Sequence, residues 1–350
     1  MSVVVASLYA MSRLMIRLLR PLARSLPVLS PLLALTIFVM PSPARAVASH
    51  LDERVATLGE TLAVAARGLC AQTVLRSGLD LHSRAQYGRL TPQQAQRMFP
   101  VTNGVAILLV VPGSTADRAG IRDGDGLLAI DGHVLPSTAP GRRPDYAPTR
   151  QALDLLDAAL SKGAAHLILR GMDGRDREVL LGGTLGCPTR FQVELGGGID
   201  AQADGTYVKI GQSMVEATSD DAVLSASLAH ELAHNMFVHR ERQNAAGMRR
   251  GIARMFGRNA ALSRASESEA DSLVPWLLAM AGHDPQAALR WLDLLEQRTG
   301  PPAPTHPSWA RRRHIITDQL SLISRQRAEG ATLRPPFDTI NPGPLVPDND

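Results

Sequence analysis

Two histidines four residues apart bracket a glutamate in His230-Glu231-Leu232-Ala233-His234. On a helix, at about 100° per residue, His230 and His234 fall on one face a turn apart, so both imidazoles can reach one ion. Glu231 projects beside them, placed to take a proton from a water activated by that ion and hand it on. This is the proton traffic of metal-assisted amide hydrolysis. A third ligand is needed. His239 falls about 140° round the same helix from His234, and no glycine bend brings it back, so it is expected as a polar surface residue. The better candidate is Glu267, in Glu267-Ser268-Glu269-Ala270-Asp271. Glu267 and Asp271 share a helix face, so one carboxylate can bind the ion while the other holds an imidazole N–H; Glu269 points elsewhere.

The surrounding sequence says what must position these groups. Ser219-Asp220-Asp221 caps a helix whose small apolar face is Ala222, Val223, Ala226, Leu228, Ala229 and Leu232. Between the two ligand-bearing helices, Arg240 to Arg264 is expected as a solvated helix over the cleft, with contact to an anionic membrane or an acidic substrate as the alternative. Pro275 removes a hydrogen bond to the Asp271 carbonyl, which predicts a kink after the ligand. Leu51, Val55, Leu58 and Leu62 recur at helical spacing, giving an N-terminal helix within 47–74. Short β-rich runs alternate with glycine turns to about residue 186. From about 218 the pattern is helical, and 329–350, rich in proline and polar residues, is expected as a disordered tail.

In the β-rich stretch, the strand Val105 to Val111 runs into Pro112-Gly113-Ser114-Thr115-Ala116-Asp117-Arg118-Ala119-Gly120-Ile121-Arg122-Asp123-Gly124-Asp125. A strand Leu127 to Ile130, the turn Asp131-Gly132, a helix Thr149 to Leu160, and strands His166 to Leu169 and Glu178 to Leu181 follow. Residues 75–186 thereby resemble a PDZ domain of the bacterial HtrA/Deg type. The resemblance implies an extended peptide added between the helix Thr149 to Leu160 and a strand starting near Ser77-Gly78-Leu79-Asp80-Leu81, although Asp80 would repel a terminal carboxylate.

Charge and cysteine usage bound the setting. Residues 1–46 hold five arginines and no acid, so the rest of the chain sets the other 32 of its 37 basic residues against 33 acidic ones. A body this close to neutral offers no field for nucleic acid. Those 46 residues read as an export signal: arginines, an apolar stretch Leu26 to Met40, then Pro41-Ser42-Pro43 and the small-residue site Ala44-Arg45-Ala46. Export predicts a periplasmic protein, membrane-anchored if the signal is uncleaved, and predicts that Cys70 and Cys187, which bracket the β-rich unit, form a disulfide.

HELAH, ESEAD about thirty residues on, Ala281-Gly282-His283-Asp284-Pro285 and Thr305-His306-Pro307, preceded by Asp204-Gly205 and the strand Tyr207 to Ile210, together resemble the gluzincin family. That family includes the CAAX prenyl endopeptidase, the HtpX heat-shock protease and periplasmic outer-membrane quality-control peptidases. The resemblance covers about residues 190 to 325 and implies an α+β chain: a mainly helical zincin-type domain (187–328) with a small sheet, plus the PDZ-like domain. It implies Zn2+ held by His230, His234 and Glu267, Glu231 as general base, and Asp271 supporting a ligand histidine. His306 is left with two roles, stabilising an oxyanion or occupying the open metal position, and Arg312 follows six residues later. The expected function is an exported zinc metalloendopeptidase of envelope protein quality control. Its substrates would be proteins or unfolded polypeptides, selected with PDZ assistance and paired with an edge strand near Tyr207 to Ile210. The alternative is a PDZ-based chaperone or adaptor with a latent metal site.

Overall fold

A computed structural model describes residues 50–137 and 143–348; the expected export signal, residues 1–46, lies outside the described residues. The chain is α+β. Helix α1 (His50–Ala65) buries Leu51, Val55, Leu58 and Leu62. At its centre Gly59 allows a close crossing, since a Cβ there would lie 2.3 Å from the Phe191 ring. That crossing offsets the roughly 1 kcal/mol that glycine costs a helix interior. After a short 3₁₀ turn the chain reaches Cys70.

The β-rich unit then runs β1 (Val74–Arg76), β2 (Leu79–Ser83), α2 (Pro92–Met98), β3 (Val105–Val110), α3 (Thr115–Arg118), β4 (Gly126–Ile130), β5 (His133–Val134), α4 (Ala147–Leu160), β6 (Ala165–Arg170), β7 (Asp176–Leu181) and β8 (Thr184–Gly186). Its antiparallel sheet has the order β2-β3-β4-β6-β7, with β5 on β4. Alternate strand residues such as Ile107, Leu127 and Leu167 pack with Leu153, Leu156 and Leu160 of α4 in one cluster. β1 pairs with β8, so the entering and leaving chains are zipped together. Just outside that zipper Cys70 and Cys187 are disulfide-bonded, as expected, with Cα atoms 5.7 Å apart.

The trough between β2 and α4 is fastened at one end. Thr149 Oγ1 lies 2.8 Å from Ser83 Oγ and donates to Gln86 Oε1 at 2.7 Å, while Leu81, Leu153 and Leu156 are buried. The other end opens into a cavity lined by Ser77, Asp80, Leu160 and Arg190. Burial there pushes the Asp80 carboxyl up to about 6 against the pull of Arg190 and Arg76.

The second unit comprises β9 (Arg190–Glu194), β10 (Ala201–Ala203), β11 (Tyr207–Gly211), α5 (Gln212–Ala217), α6 (Asp221–Met236), α7 (His239–Ala245), α8 (Gly257–Met280), α9 (Ala287–Thr299) and α10 (Trp309–Ala328). Its core gathers α1, the three strands and the long helices around α6. The N-terminal helix is therefore part of this core, and the β-rich unit is inserted between α1 and β9.

Three expectations are corrected. β11 is the central strand of the order β10-β11-β9, so it offers no free edge; β10, which lies against α6, and β9, which lies against α1, are the edge strands. Arg240 to Arg264 is not one helix but α7, a 3₁₀ turn Gly251–Met255 and the start of α8. Pro275 lies inside α8, which continues to Met280. The segment 329–350 packs through 348 rather than standing off: Thr339 donates to the Leu69 carbonyl at 2.6 Å, and Leu345 is buried against Met248 and Leu262.

The disulfide closes a sequence separation of 117 residues. Replacing either cysteine with serine is expected to lower the free energy of unfolding by about 2–5 kcal/mol, read from denaturant midpoints under non-reducing conditions.

Candidate metal centre

Asp220 caps α6, accepting from the Ala222 N–H, and starts a helix buried along nearly its whole length. Its serines and alanines let α1, α8 and α9 approach closely, which places His230 and His234 in the interior. α8 runs beside α6 and brings Glu267 and Asp271 to the same place. The three expected ligand atoms converge. His230 Nε2 lies 3.2 Å from His234 Nε2, and Glu267 Oε2 lies 3.1 Å from the first and 3.6 Å from the second. A tetrahedral ion with bonds of about 2.0–2.1 Å separates its donors by roughly 3.3 Å. Among the described residues His230, His234 and Glu267 are the group able to hold a metal ion.

Charge supports the same fit. Glu231, Glu267 and Asp271 are buried, and among the described residues Arg312 is the guanidinium ion-paired within this group. With neutral imidazoles the cluster carries a net charge of −2, which a divalent cation balances. Burial alone would push Glu267 up, but His306, His234 and His230 outweigh it and hold the carboxyl well below its usual range. Burial likewise opposes a charged His230, yet Asp271 and Glu267 overcome it and raise the ring to about 9. A metal must displace that proton to bind.

Each ligand ring is held from behind. Asp271 Oδ1 lies 3.2 Å from His230 Nδ1, in ion-pair range though not aligned as a hydrogen bond, which favours Nδ1–H and leaves Nε2 as the donor to an ion. Asp271 is in turn gripped by Arg312, whose Nε and Nη2 donate to its two oxygens at 2.7 Å. The guanidinium sits over the Trp291 and Trp309 rings, 5.1 and 5.4 Å from their centroids.

His239 departs from expectation. It is buried, its Nδ1 lies 2.8 Å from His234 Nδ1, and its Nε2 lies 2.9 Å from Glu269 Oε2. Burial pushes His239 down to about 4, so the ring is neutral. The carboxylate fixes its proton on Nε2; its Nδ1 then accepts from His234 Nδ1–H, freeing His234 Nε2 for an ion. The bend that sequence reasoning lacked is supplied by Val238, which takes a left-handed conformation with φ 45° between α6 and α7. A β-branched residue is disfavoured there, so no local signal marked it. Glu269 is anchored by Arg242, which also reaches the Gly343 carbonyl at 2.7 Å. Replacing His239 with alanine is expected to lower metal affinity by about 10–100-fold, measured by competition with a chromogenic chelator.

His306 Nε2 stands 3.5 Å from Glu267 Oε2 with its side chain 38% exposed, at the rim of the cluster and outside the three-atom group. Burial raises Glu231, beside the ligands, above the ordinary carboxylate range. Asn235 Oδ1 accepts from Gly205 N–H at 2.8 Å, and Arg240 donates to the Asp204 carbonyl, tying the β10–β11 turn to the site helices. No family model matches the chain, and no curated protein is significantly similar to it.

Proposed function

We propose that the chain is an exported zinc metalloendopeptidase that hydrolyses unfolded polypeptides in envelope protein quality control. The observation that carries the reading is the convergence of two imidazole nitrogens and one carboxylate oxygen at tetrahedral spacing, with the buried Glu231 beside them. The hard and borderline donors, two nitrogens and an oxygen, suit zinc. Bound there, the ion supplies Lewis-acid polarisation of a carbonyl and acidification of a water molecule.

The chain's own groups do the rest. Glu231 takes the proton of the attacking water and delivers it to the leaving amine nitrogen. His306, on the exposed side of Glu267, donates to the oxygen that gains charge. The free edge of β10 pairs with substrate backbone and lays it along α6. The inserted PDZ-like unit selects the polypeptide.

Purified protein is expected to cleave a permanently unfolded casein, to lose that cleavage on chelation and to regain it with added zinc. Client binding with no turnover in the zinc-loaded chain would instead favour a PDZ-based adaptor.

A further inference from the structure

Residues 242 to 266 contain six arginines and no acidic residue, in a chain whose positive and negative residues otherwise nearly cancel. Four of them, Arg249, Arg250, Arg254 and Arg258, surround the 3₁₀ turn Gly251–Met255. Among the described residues none of the four is ion-paired; Arg250, Arg254 and Arg258 donate to the neutral acceptors Asn244 Oδ1, Ser263 Oγ and the Ala246 carbonyl. From the same turn Ile252 and Phe256 stand 82% and 66% exposed, Ile252 being the most exposed large hydrophobic among the described residues.

Exposed guanidinium forks beside protruding apolar side chains match one environment in both respects. A bilayer rich in anionic lipid offers phosphates to the arginines and an acyl boundary to Ile252 and Phe256. An acidic soluble partner would reward only the charge. The turn is also next to the site: Arg254 bonds Ser263, one helical turn before Glu267.

We propose that Ile252 and Phe256, ringed by Arg249, Arg250, Arg254 and Arg258, dock the chain on an anionic lipid surface beside its metal centre. The docking stands without the peptidase reading; its use, admitting polypeptides at the membrane surface, rests on that reading. No helix among the described residues is long and apolar enough to cross a membrane, so a peripheral contact of this kind is what these residues offer.

The test is vesicle flotation of the full-length Glu231→Gln chain, which needs no hydrolysis. Phosphatidylcholine vesicles are compared with vesicles in which about a third of the lipid is phosphatidylglycerol. Because residues 1–46 carry their own apolar run, the readout is the difference between this chain and patch variants sharing the same leader. Replacing the four arginines with glutamine is expected to weaken partition to anionic vesicles roughly fivefold per arginine and to flatten its salt dependence. Ile252→Ser with Phe256→Ser is expected to weaken it more than about tenfold with the salt dependence kept. Equal partition of parent and both variants, or no preference for anionic over neutral vesicles, overturns the proposal. So does a result in which the variants keep vesicle binding but lose binding to soluble, acidic unfolded casein, because the patch would then be a substrate surface. Peptidase failure leaves the flotation readout intact, so the two ideas fail separately.

Discussion

Glu231→Gln is expected to retain one metal per chain and to lose hydrolysis by a factor on the order of 10³ or more in kcat/KM. The amide keeps the size of the side chain but cannot accept a proton from water or return one to the amine. Glu231 is not one of the three converging ligands, so metal content measured beside activity separates loss of the base from loss of the ion. Burial of Glu231 adds a second signature. An amide there relieves the desolvation that raises the carboxyl, so the variant is expected to melt no lower than the parent. A variant with near-parental cleavage and full metal content would assign proton transfer to another group.

The second large effect concerns Arg312. Its guanidinium is buried between Trp291 and Trp309 and neutralises Asp271, which is fully buried and has the edge of His230 as its other partner. In the zinc-loaded chain, where the His230 ring is neutral, Arg312→Met leaves that carboxylate without a counter-charge of its own, an expected cost of about 3–5 kcal/mol. At roughly 2–4 °C per kcal/mol for a domain of this size, the melting temperature should drop by about 6–20 °C. The double replacement Arg312→Met with Asp271→Asn is expected to recover much of the loss, because no buried charge is then stranded. Metal affinity should stay weakened in the double variant, since an amide in place of the Asp271 carboxylate holds the His230 ring less firmly. Equal destabilisation by the single and double replacements would show that Arg312 acts by packing rather than by charge.

What could be read from the sequence was what helical periodicity controls. His230, His234, Glu267 and Asp271 are placed by spacing along two regular helices, so residue type and separation sufficed to bring them together. The amphipathic α1 was legible for the same reason, and the strand ending at the turn Asp131-Gly132 from its apolar run and its turn residues.

What escaped depends on contacts distant in sequence or on strained backbone. His239 was placed on the surface because helix geometry was continued past residue 237, whereas Val238 is left-handed and returns the ring to His234. Its burial against Glu269 and Arg242 offsets that strain, and those partners lie about thirty residues away. Strand order is equally non-local. β11 looked like an edge because its β9 partner is parallel and precedes the whole β10–β11 turn. The tail looked disordered by composition, yet a few anchors suffice to hold it: Thr339 on Leu69, Leu345 in a small cluster, and Gly343 on Arg242.

The central claim is that His230, His234 and Glu267 hold one zinc ion. X-ray absorption at the zinc edge on the purified full-length chain tests it most directly, with the His234→Ala chain as comparison. One zinc per chain with a first shell of nitrogen and oxygen at about 2.0–2.1 Å, two imidazoles in its outer scattering, and loss of that pattern in the variant is the predicted outcome. A zinc-free chain after zinc exposure, or a zinc shell unchanged by His234→Ala, would contradict the account.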